Sequence, residues 1–537
     1  MSTLGRLRKL WRFFLIILTP ILLLPVIFLD QEQNESKKFQ CAYVILLMAV
    51  FWMLELLPLA VTALLPVVLF PFFGIQSTGA VAANYMRETA MMFIGGISLA
   101  LGIQYSGLHK RIALKIILAI GSSPWRLLLG ILVTSMSISC VVVVNTAVAA
   151  MMVPIINGIV ECFDETETRE QRKKLKKVYF LAVGYAANIG GTATIIGSQP
   201  TLIYKELIEQ VNVGQDGKYT DLNFATYIAF SMPIAIINLF IVWIILSLIF
   251  LGRPDTSKRN GSVRSDANNT QGAILEDSSQ NVAKLLRRKL DELGKTSFHE
   301  KAVIVLITVA VVLWLFRDPR VIPGWISIFP DTYPKIGDAT VAIAILILMF
   351  IIPKEIKYFR GEFAGKLDAI LSWPFIQEHF PWHVIFIVGG GLAISDAANA
   401  SGLAVWLGDQ FIGLENLSRY VVLLLIVVII SFLTELMSNA AAVSLLTPIL
   451  IALSKRLDLH PLYLSLPGAI AAQYAFMLPT ANPPNTIVFA AANMNIIDMA
   501  KPGVFINCAC ITVLYLLNIS WGEFVIFDYN NYEYPKN

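Results

Sequence analysis

Apolar runs long enough to cross a bilayer, about 20 residues each, recur from one end of this chain to the other. In lipid every backbone N–H and C=O needs an internal partner, so each run reads as a helix. Composition agrees: charged residues make up 15% of the 537 and hydrophobic residues 56%, too little charge to coat soluble domains. The same apolar content excludes a disordered or collagen-like chain, and 5 cysteines are too few for a disulfide-knitted scaffold. The charge balance of 41 − 37 = +4 is small and scattered, which gives no reason to expect nucleic acid as a partner. The expected class is an all-α polytopic membrane protein whose surroundings are lipid.

Taking the runs in order gives a topology. Arg6, Arg8, Lys9 and Arg12 precede the first span, 13–29, and favour a cytoplasmic N-terminus. No small-residue cleavage site follows it, so it reads as an anchor. Spans at 42–57, 60–73 and 91–105 return the chain to the basic residues Lys110 and Arg111. The apolar stretch 125–160 is interrupted by Asn145-Thr146, and cations flank it on both sides, the second group being Arg172, Lys173, Lys174, Lys176 and Lys177. It must enter and leave on one face, as a re-entrant hairpin whose tip faces protein or water. A span broken by glycine and proline (178–204) and another at 227–251 lead to a polar cytoplasmic linker, 253–300. Residues 281–293 at its end have the spacing of an amphipathic helix lying on the membrane surface.

The second half repeats the plan. Spans fall at 302–316, 339–352 and 384–400, a stretch at 420–453 is interrupted by Ser438-Asn439, a broken span covers 462–492, and the last is 504–519. The total is about eleven transmembrane helices with two re-entrant hairpins, ending outside. The corresponding domains are N-terminal spans (1–83), a first repeat (84–252), the linker (253–300), a second repeat (301–522) and an extracellular tail (523–537). Sequons at Asn34, Asn416 and Asn518 all fall on the outer side and are the expected glycosylation sites. Such a route leads most simply to the plasma membrane.

The two halves share landmarks in the same order. Phe93-Ile94-Gly95-Gly96 returns as Phe386-Ile387-Val388-Gly389-Gly390; Asn145-Thr146-Ala147 returns as Asn439-Ala440-Ala441; Gly197-Ser198-Gln199-Pro200-Thr201 returns as Ala481-Asn482-Pro483-Pro484-Asn485. On the topology above the copies start on opposite faces, so the repeats are inverted. Inverted repeats with broken helices in matching places are the signature of a secondary transporter with a midplane site. A helix broken by glycine and proline leaves unpartnered N–H groups that carry partial positive charge and attract anions without desolvating an Arg or Lys. Nearby carbonyls can hold a small cation such as sodium. Neutral amides and hydroxyls in these segments, Asn145, Thr146, Ser198, Ser438, Asn439, Asn482 and Asn485, suit carboxylate or sulfate oxygens. Read singly, each asparagine fits a helix cap equally well.

At these motifs the chain resembles the divalent anion–sodium symporter family, which includes animal dicarboxylate, citrate and sulfate transporters. The hairpin motifs read Val144-Asn145-Thr146 and Ser438-Asn439-Ala440, where the family carries Ser-Asn-Thr, and the loops are those quoted above. Ala150-Met151-Met152-Val153-Pro154 and Thr434-Glu435 add to the likeness, which spans the chain outside 253–300. The resemblance implies an elevator-type carrier of succinate, citrate and related acids, a homodimer and not an enzyme. It implies carboxylate contacts from Asn145, Thr146, Ser198, Ser438, Asn439, Asn482 and Pro483. It also implies a first sodium site from Val144, Asn145 and Gly197 and a second from Thr434, Asn439 and Ala481. Val144 in place of serine removes a hydroxyl ligand, so weakened sodium coupling is expected, with anion exchange or proton coupling as alternatives and sulfate as the other cargo.

Three acids in apolar surroundings, Glu55, Asp396 and Glu435, stand out because charge at membrane depth is costly. Glu435 lies close to Ser438-Asn439 and suits either cation attraction or a structural hydrogen-bonding role. No HExxH, GxSxG or Walker-type loop occurs, which argues against a membrane protease, esterase or ATP-driven pump.

Overall fold

The computed structural model describes residues 3–29, 36–141, 145–162, 169–212, 222–252, 267–317, 323–330, 336–360, 368–403, 406–407, 417–527 and 529. These are helical throughout, apart from turns and one isolated β-bridge between Pro353 and Ala369. The first series is α1 (Thr3–Leu23), α2 (Ser36–Met53), α3 (Leu65–Phe72), α4 (Glu88–Ser106), α5 (Leu108–Ile120), α6 (Pro124–Ser139), α7 (Asn145–Glu161), α8 (Arg169–Ala193), α9 (Gln199–Asn212) and α10 (Phe224–Leu246). The second is α11 (Ala267–Glu292), α12 (Phe298–Leu315), α13 (Asp338–Ile351), α14 (His383–Ala400), α15 (Arg419–Leu433), α16 (Asn439–Arg456), α17 (Pro461–Ala471), α18 (Pro483–Ala492) and α19 (Ile496–Leu517). Short helical turns such as Leu59–Thr62, Thr78–Ala83 and Trp373–His379 lie between them.

Among the described residues six helical stretches are long and apolar enough to cross a bilayer: Trp11–Phe28, Thr78–Ser106, Phe224–Leu251, Phe298–Leu315, His383–Ala400 and Ile496–Ile526. Their outer faces carry large exposed apolar side chains, for example Ile236, Ile237, Phe240 and Ile244 on α10 and Leu248 just past it. So large an apolar surface belongs in lipid. Polar caps set where the helices begin. Asn223 and Thr226 form a reciprocal capping box before α10, and Ser297 with Glu300 does the same for α12. Each satisfies backbone donors that the first turn leaves without partners.

The packing follows a crossed pattern. In the first half α8 lies on α6, α7 and α10; in the second α17 lies on α15, α16 and α19. Between the halves, α7 and α8 pack on α18, while α16 and α17 pack on α9. Further out, α4 packs on α12 and α13, and α14 packs on α2 and α3. Each contact thus has a counterpart with the halves exchanged, as the repeated landmarks lead one to expect.

One expectation changes, and one basic flank proves to be buried. Lys110 and Arg111, the basic residues after the span at 91–105, lie in helix α5. Arg111 is buried, with Nε on Glu300 Oε1 at 2.8 Å and its other nitrogens on the carbonyls of Gly294 and Leu293 at 2.8 and 3.0 Å. Complete pairing is what makes a buried guanidinium tolerable. The amphipathic end of the linker lies within α11, and its apolar stripe packs on α5 and α7 instead of facing lipid. Val282 and Leu286 are wholly buried there. The spacing sets the stripe, and tertiary packing chooses its partner.

Candidate functional site

Asn145 starts α7 and Asn439 starts α16, where each meets the same three-oxygen arrangement. Ser139, at the end of α6, brings Oγ within 2.7 Å of Asn145 Oδ1 and within 2.7 Å of the Ala187 carbonyl on α8. Thr434, just past α15, brings Oγ1 within 2.9 Å of Asn439 Oδ1 and 2.7 Å of the Ala472 carbonyl at the end of α17. A hydroxyl has one hydrogen, so it can donate to only one of its two oxygen neighbours. Either the carboxamide turns its Nδ2 toward the hydroxyl, or an electropositive guest shares the oxygens. Asn145, Thr146, Ser438 and Asn439 are all half-buried, open enough to meet a solute. Ser438 caps α16, its Oγ accepting from Ala441 N at 3.4 Å.

The two breaks join these tips. The first runs from Thr194 through a 3-10 turn, Ile195–Gly197, to buried Ser198; the second lies between Ala471 and Pro483. Ser198 Oγ donates to Gln473 Oε1 at 2.6 Å, across the halves. In the matching place Asn188 Nδ2 reaches the Ala475 carbonyl and Asn485 Oδ1, both at 3.4 Å. Gln473 directly follows Ala472, and Asn188 directly follows Ala187. One turn of α8 and its counterpart after α17 therefore each hold their own tip and reach into the other half's break.

Several expected ligands are already engaged. Asn482 is buried and caps α18, its Oδ1 accepting from Asn485 N at 3.0 Å and its Nδ2 donating to the Ala475 carbonyl at 3.1 Å. With the Ser198 hydroxyl donated to Gln473, the second N–H of the Asn482 amide is the donor that this pair leaves for a substrate. Pro483, at the start of α18, is exposed, and it leaves that helix end accessible. Gly197, Thr434 and Ala481 are buried; Val144 lies outside the described residues. Of the expected glycan acceptors, Asn34 and Asn416 also lie outside them. Asn518 is fully buried, its Nδ2 on the Tyr463 carbonyl at 3.4 Å, and a side chain so enclosed has no room for a sugar.

Glu435 takes the structural of its two expected roles. Its Oε1 accepts from Phe476 N and Met477 N at 2.8 and 2.9 Å, and from Asn507 Nδ2 at 3.3 Å; Oε2 accepts from Leu478 N at 2.9 Å. One carboxylate therefore gathers three successive N–H groups freed by the second break, which fixes the loop's path. Ser139, Asn188, Gln473 and Asn507 were not singled out in the sequence. Ser139 lies six residues before Asn145 and Thr434 five before Asn439, so a gap-free alignment of the two tips does not pair them.

The first tip needs glycine beside it. A methyl at Gly191 would lie 2.7 Å from Asn145 Nδ2, whereas one at Gly190 would lie 2.6 Å from the backbone oxygen of Met136. Gly191→Ala therefore displaces a movable amide and should lower transport by roughly tenfold, equivalent to about 1.4 kcal/mol, with melting nearly unchanged. Gly190→Ala strikes backbone and should cost about 1–3 kcal/mol of stability. Uptake normalised to surface protein, beside a thermal melt of each variant, separates the two; equal melting losses would contradict it.

Comparison with known proteins adds the following. A family model described as the sodium:sulfate symporter transmembrane region matches residues 7–527. Na(+)/dicarboxylate cotransporter 3 of Mus musculus is 32% identical over 584 residues, 96% of this chain and 93% of that protein. Na(+)/citrate cotransporter of the same species is 32% identical over 98% of this chain and 96% of its own length. Among solved structures, Neisseria gonorrhoeae MtrF aligns with a TM-score of 0.51 at 14% identity, covering 81% of this chain and 82% of its own. That last likeness is one of fold alone.

Proposed function

Since the chain belongs to the sodium:sulfate symporter family, we propose that it is a secondary active transporter of di- and tricarboxylates, such as succinate and citrate, across the plasma membrane. Its relatives are transporters, and the chain is not an enzyme. The observation that carries the reading is the matched hydroxyl, carboxamide and carbonyl at Asn145 and at Asn439. With the carboxamide oxygens held in place, the amide N–H groups, Thr146 and Ser438 supply neutral donors, while Pro483 offers the solute an exposed apolar contact at the start of α18, where Pro483 and Pro484 carry no N–H and the Asn485 N–H is held by Asn482. Such donors match a dianion without the cost of a buried cation. Two relatives whose names specify dicarboxylate and citrate add to the case for these cargoes.

In this reading the topology has about eleven spans, two re-entrant hairpins (α6 with α7 and α15 with α16) and inverted repeats. The N-terminus is cytoplasmic, the C-terminus extracellular, and Asn34 and Asn416 are the glycosylated sequons. The protein works as a homodimer. The unit α6–α9 with α15–α18 slides as an elevator against a frame of α2–α4 and α12–α14. Sodium is the coupling ion, held by Asn145, Gly197 and the Val144 backbone on one side and by Thr434, Asn439 and Ala481 on the other. Ser139 joins the first set by its correspondence with Thr434. Coupling at the first set is weakened because valine supplies no side-chain oxygen.

Uptake of labelled succinate, citrate and sulfate, with sodium or with choline in its place, tests this. The expected result is saturable carboxylate uptake that falls only partly in choline. Complete loss in choline would remove the weakened coupling, and sulfate uptake indifferent to excess succinate would replace the cargo. Val144→Ser should then lower the sodium concentration for half-maximal uptake by roughly tenfold, the worth of one charge-assisted contact; an unchanged sodium curve would exclude Val144 from the site.

A further inference from the structure

A dense group of charges away from the tips sits where α9 meets the ends of α4, α12, α13 and α14. Lys205 Nζ lies 2.6 Å from Asp338 Oδ2 and 3.1 Å from Glu209 Oε1, and Arg317 approaches Asp338 Oδ1 at 2.9 Å. Arg87 pairs with Asp396 at 2.5 Å. The Lys205 and Asp338 side chains keep only 6% and 2% of their exposure, so this pair is out of water. It ties α9, which carries the first break, to the start of α13.

Glu206 sits beside this pair and is 8% exposed. It lines a small cavity with Glu88, Met92, Lys205 and Glu209. The cavity measures about 10 Å³, room for a single water and too little for a hydrated metal ion. Keeping Glu88, Glu206 and Glu209 all charged around so small a space is costly, and a proton on Glu206 removes much of that cost.

We infer that Glu206 is a proton-binding site, and that its protonation latches α9 against α13 in this conformer. The inference rests on the carrier reading, because it needs a second conformer in which α9 has moved. In this conformer burial, then the neighbouring Glu209, pushes the Glu206 carboxyl up to about 7, while Lys205 and Arg87 oppose the rise and Glu88 adds to it. These are the charges facing it from α9 and from the start of α4. From the other elements, Asp338 is held by Lys205 and Arg317, and Asp396 by Arg87. The charges of α16, Lys455 and Arg456, are confined to its last turn, and α17 has none.

Once α9 moves, Glu206 is fully hydrated and its pKa returns toward about 4.3. The contribution to this conformer is therefore complete below that value and is lost as pH rises through about 7. Acidity favours the latched state and alkali the released one.

Pulsed electron–electron resonance reads this directly. Spin labels at Lys455→Cys on α16, which packs on α9, and at Thr340→Cys on α13 would be placed in purified full-length protein whose native cysteines are replaced. The wild-type background should move from the latched to the released distance between about pH 5.5 and about pH 8.5, with the population ratio changing by about tenfold or more. Glu206→Gln should stay latched at both pH values. Glu209→Gln, which removes the neighbouring negative charge, should move the transition to lower pH. Asp338→Asn should lower the latched fraction at every pH. A distance distribution that ignores pH, a Glu206→Gln protein that titrates like the background, or an unmoved midpoint in Glu209→Gln would overturn the inference. The readout needs no substrate, so it stands apart from the uptake experiments that test the carrier reading.

Discussion

Asn439→Ala and Asn145→Ala will each bring carboxylate uptake close to background while the protein still folds. Each carboxamide is bound to a hydroxyl that also touches a helix carbonyl, at 2.7 Å for Ser139 and 2.9 Å for Thr434. Alanine removes the oxygen that completes this arrangement and the amide that faces the solute. A hydrogen bond to a charged group is worth about 1.5–3 kcal/mol. In the proposed site each asparagine makes one such contact to the anion and one to the coupling ion, so the expected loss is on the order of 10²–10⁴-fold. Folding should survive, because both residues are half-buried at helix starts and Ser438 keeps its cap on α16. Labelled succinate uptake per surface molecule is the measurement, with Thr434→Ser, which keeps the hydroxyl, as the variant expected to remain active. Uptake within twofold of wild type in both asparagine variants would take the tips out of the site.

Glu435→Ala should act on stability instead. It would leave the N–H groups of Phe476, Met477 and Leu478, together with the Asn507 amide, without their acceptor. Leaving a buried donor without its acceptor costs about 1–3 kcal/mol each, and four such donors are enough to lose most of the folded protein in detergent. Glu435→Gln keeps one acceptor oxygen and should fall between. Yield and melting in detergent check both. If Glu435→Ala melts with the wild type, the carboxylate is not what holds the second break.

How much of this was legible in the sequence depended on contrast. Asn145, Asn439 and the two breaks stand out because amides, glycines and prolines interrupt apolar runs, and each interruption has a twin. The caps at Asn223 and Ser297 follow from local spacing. Ser139, Asn188, Gln473 and Asn507 give no such signal, since a polar side chain in a helix acquires its meaning only from a partner on another element. Asn482 and Ser198 stand out as candidate ligand contacts, and only the packing shows that they also tie the breaks to Ala475 and Gln473. Asn518 shows the converse limit: a triplet records what an enzyme could modify, and burial decides whether it can. Similarly, the periodicity of α11 fixed a stripe but not whether lipid or protein would cover it.

The exchange of half-helices between the two hairpins means that the tips work as one lever. α18 packs on α7 and on α8, the span that seats Asn145, so in the proposed carrier a shift of one carries the others with it. A bruise beside one asparagine should therefore blunt the grip of its twin, and neither half can be retuned for a new cargo without retuning the other.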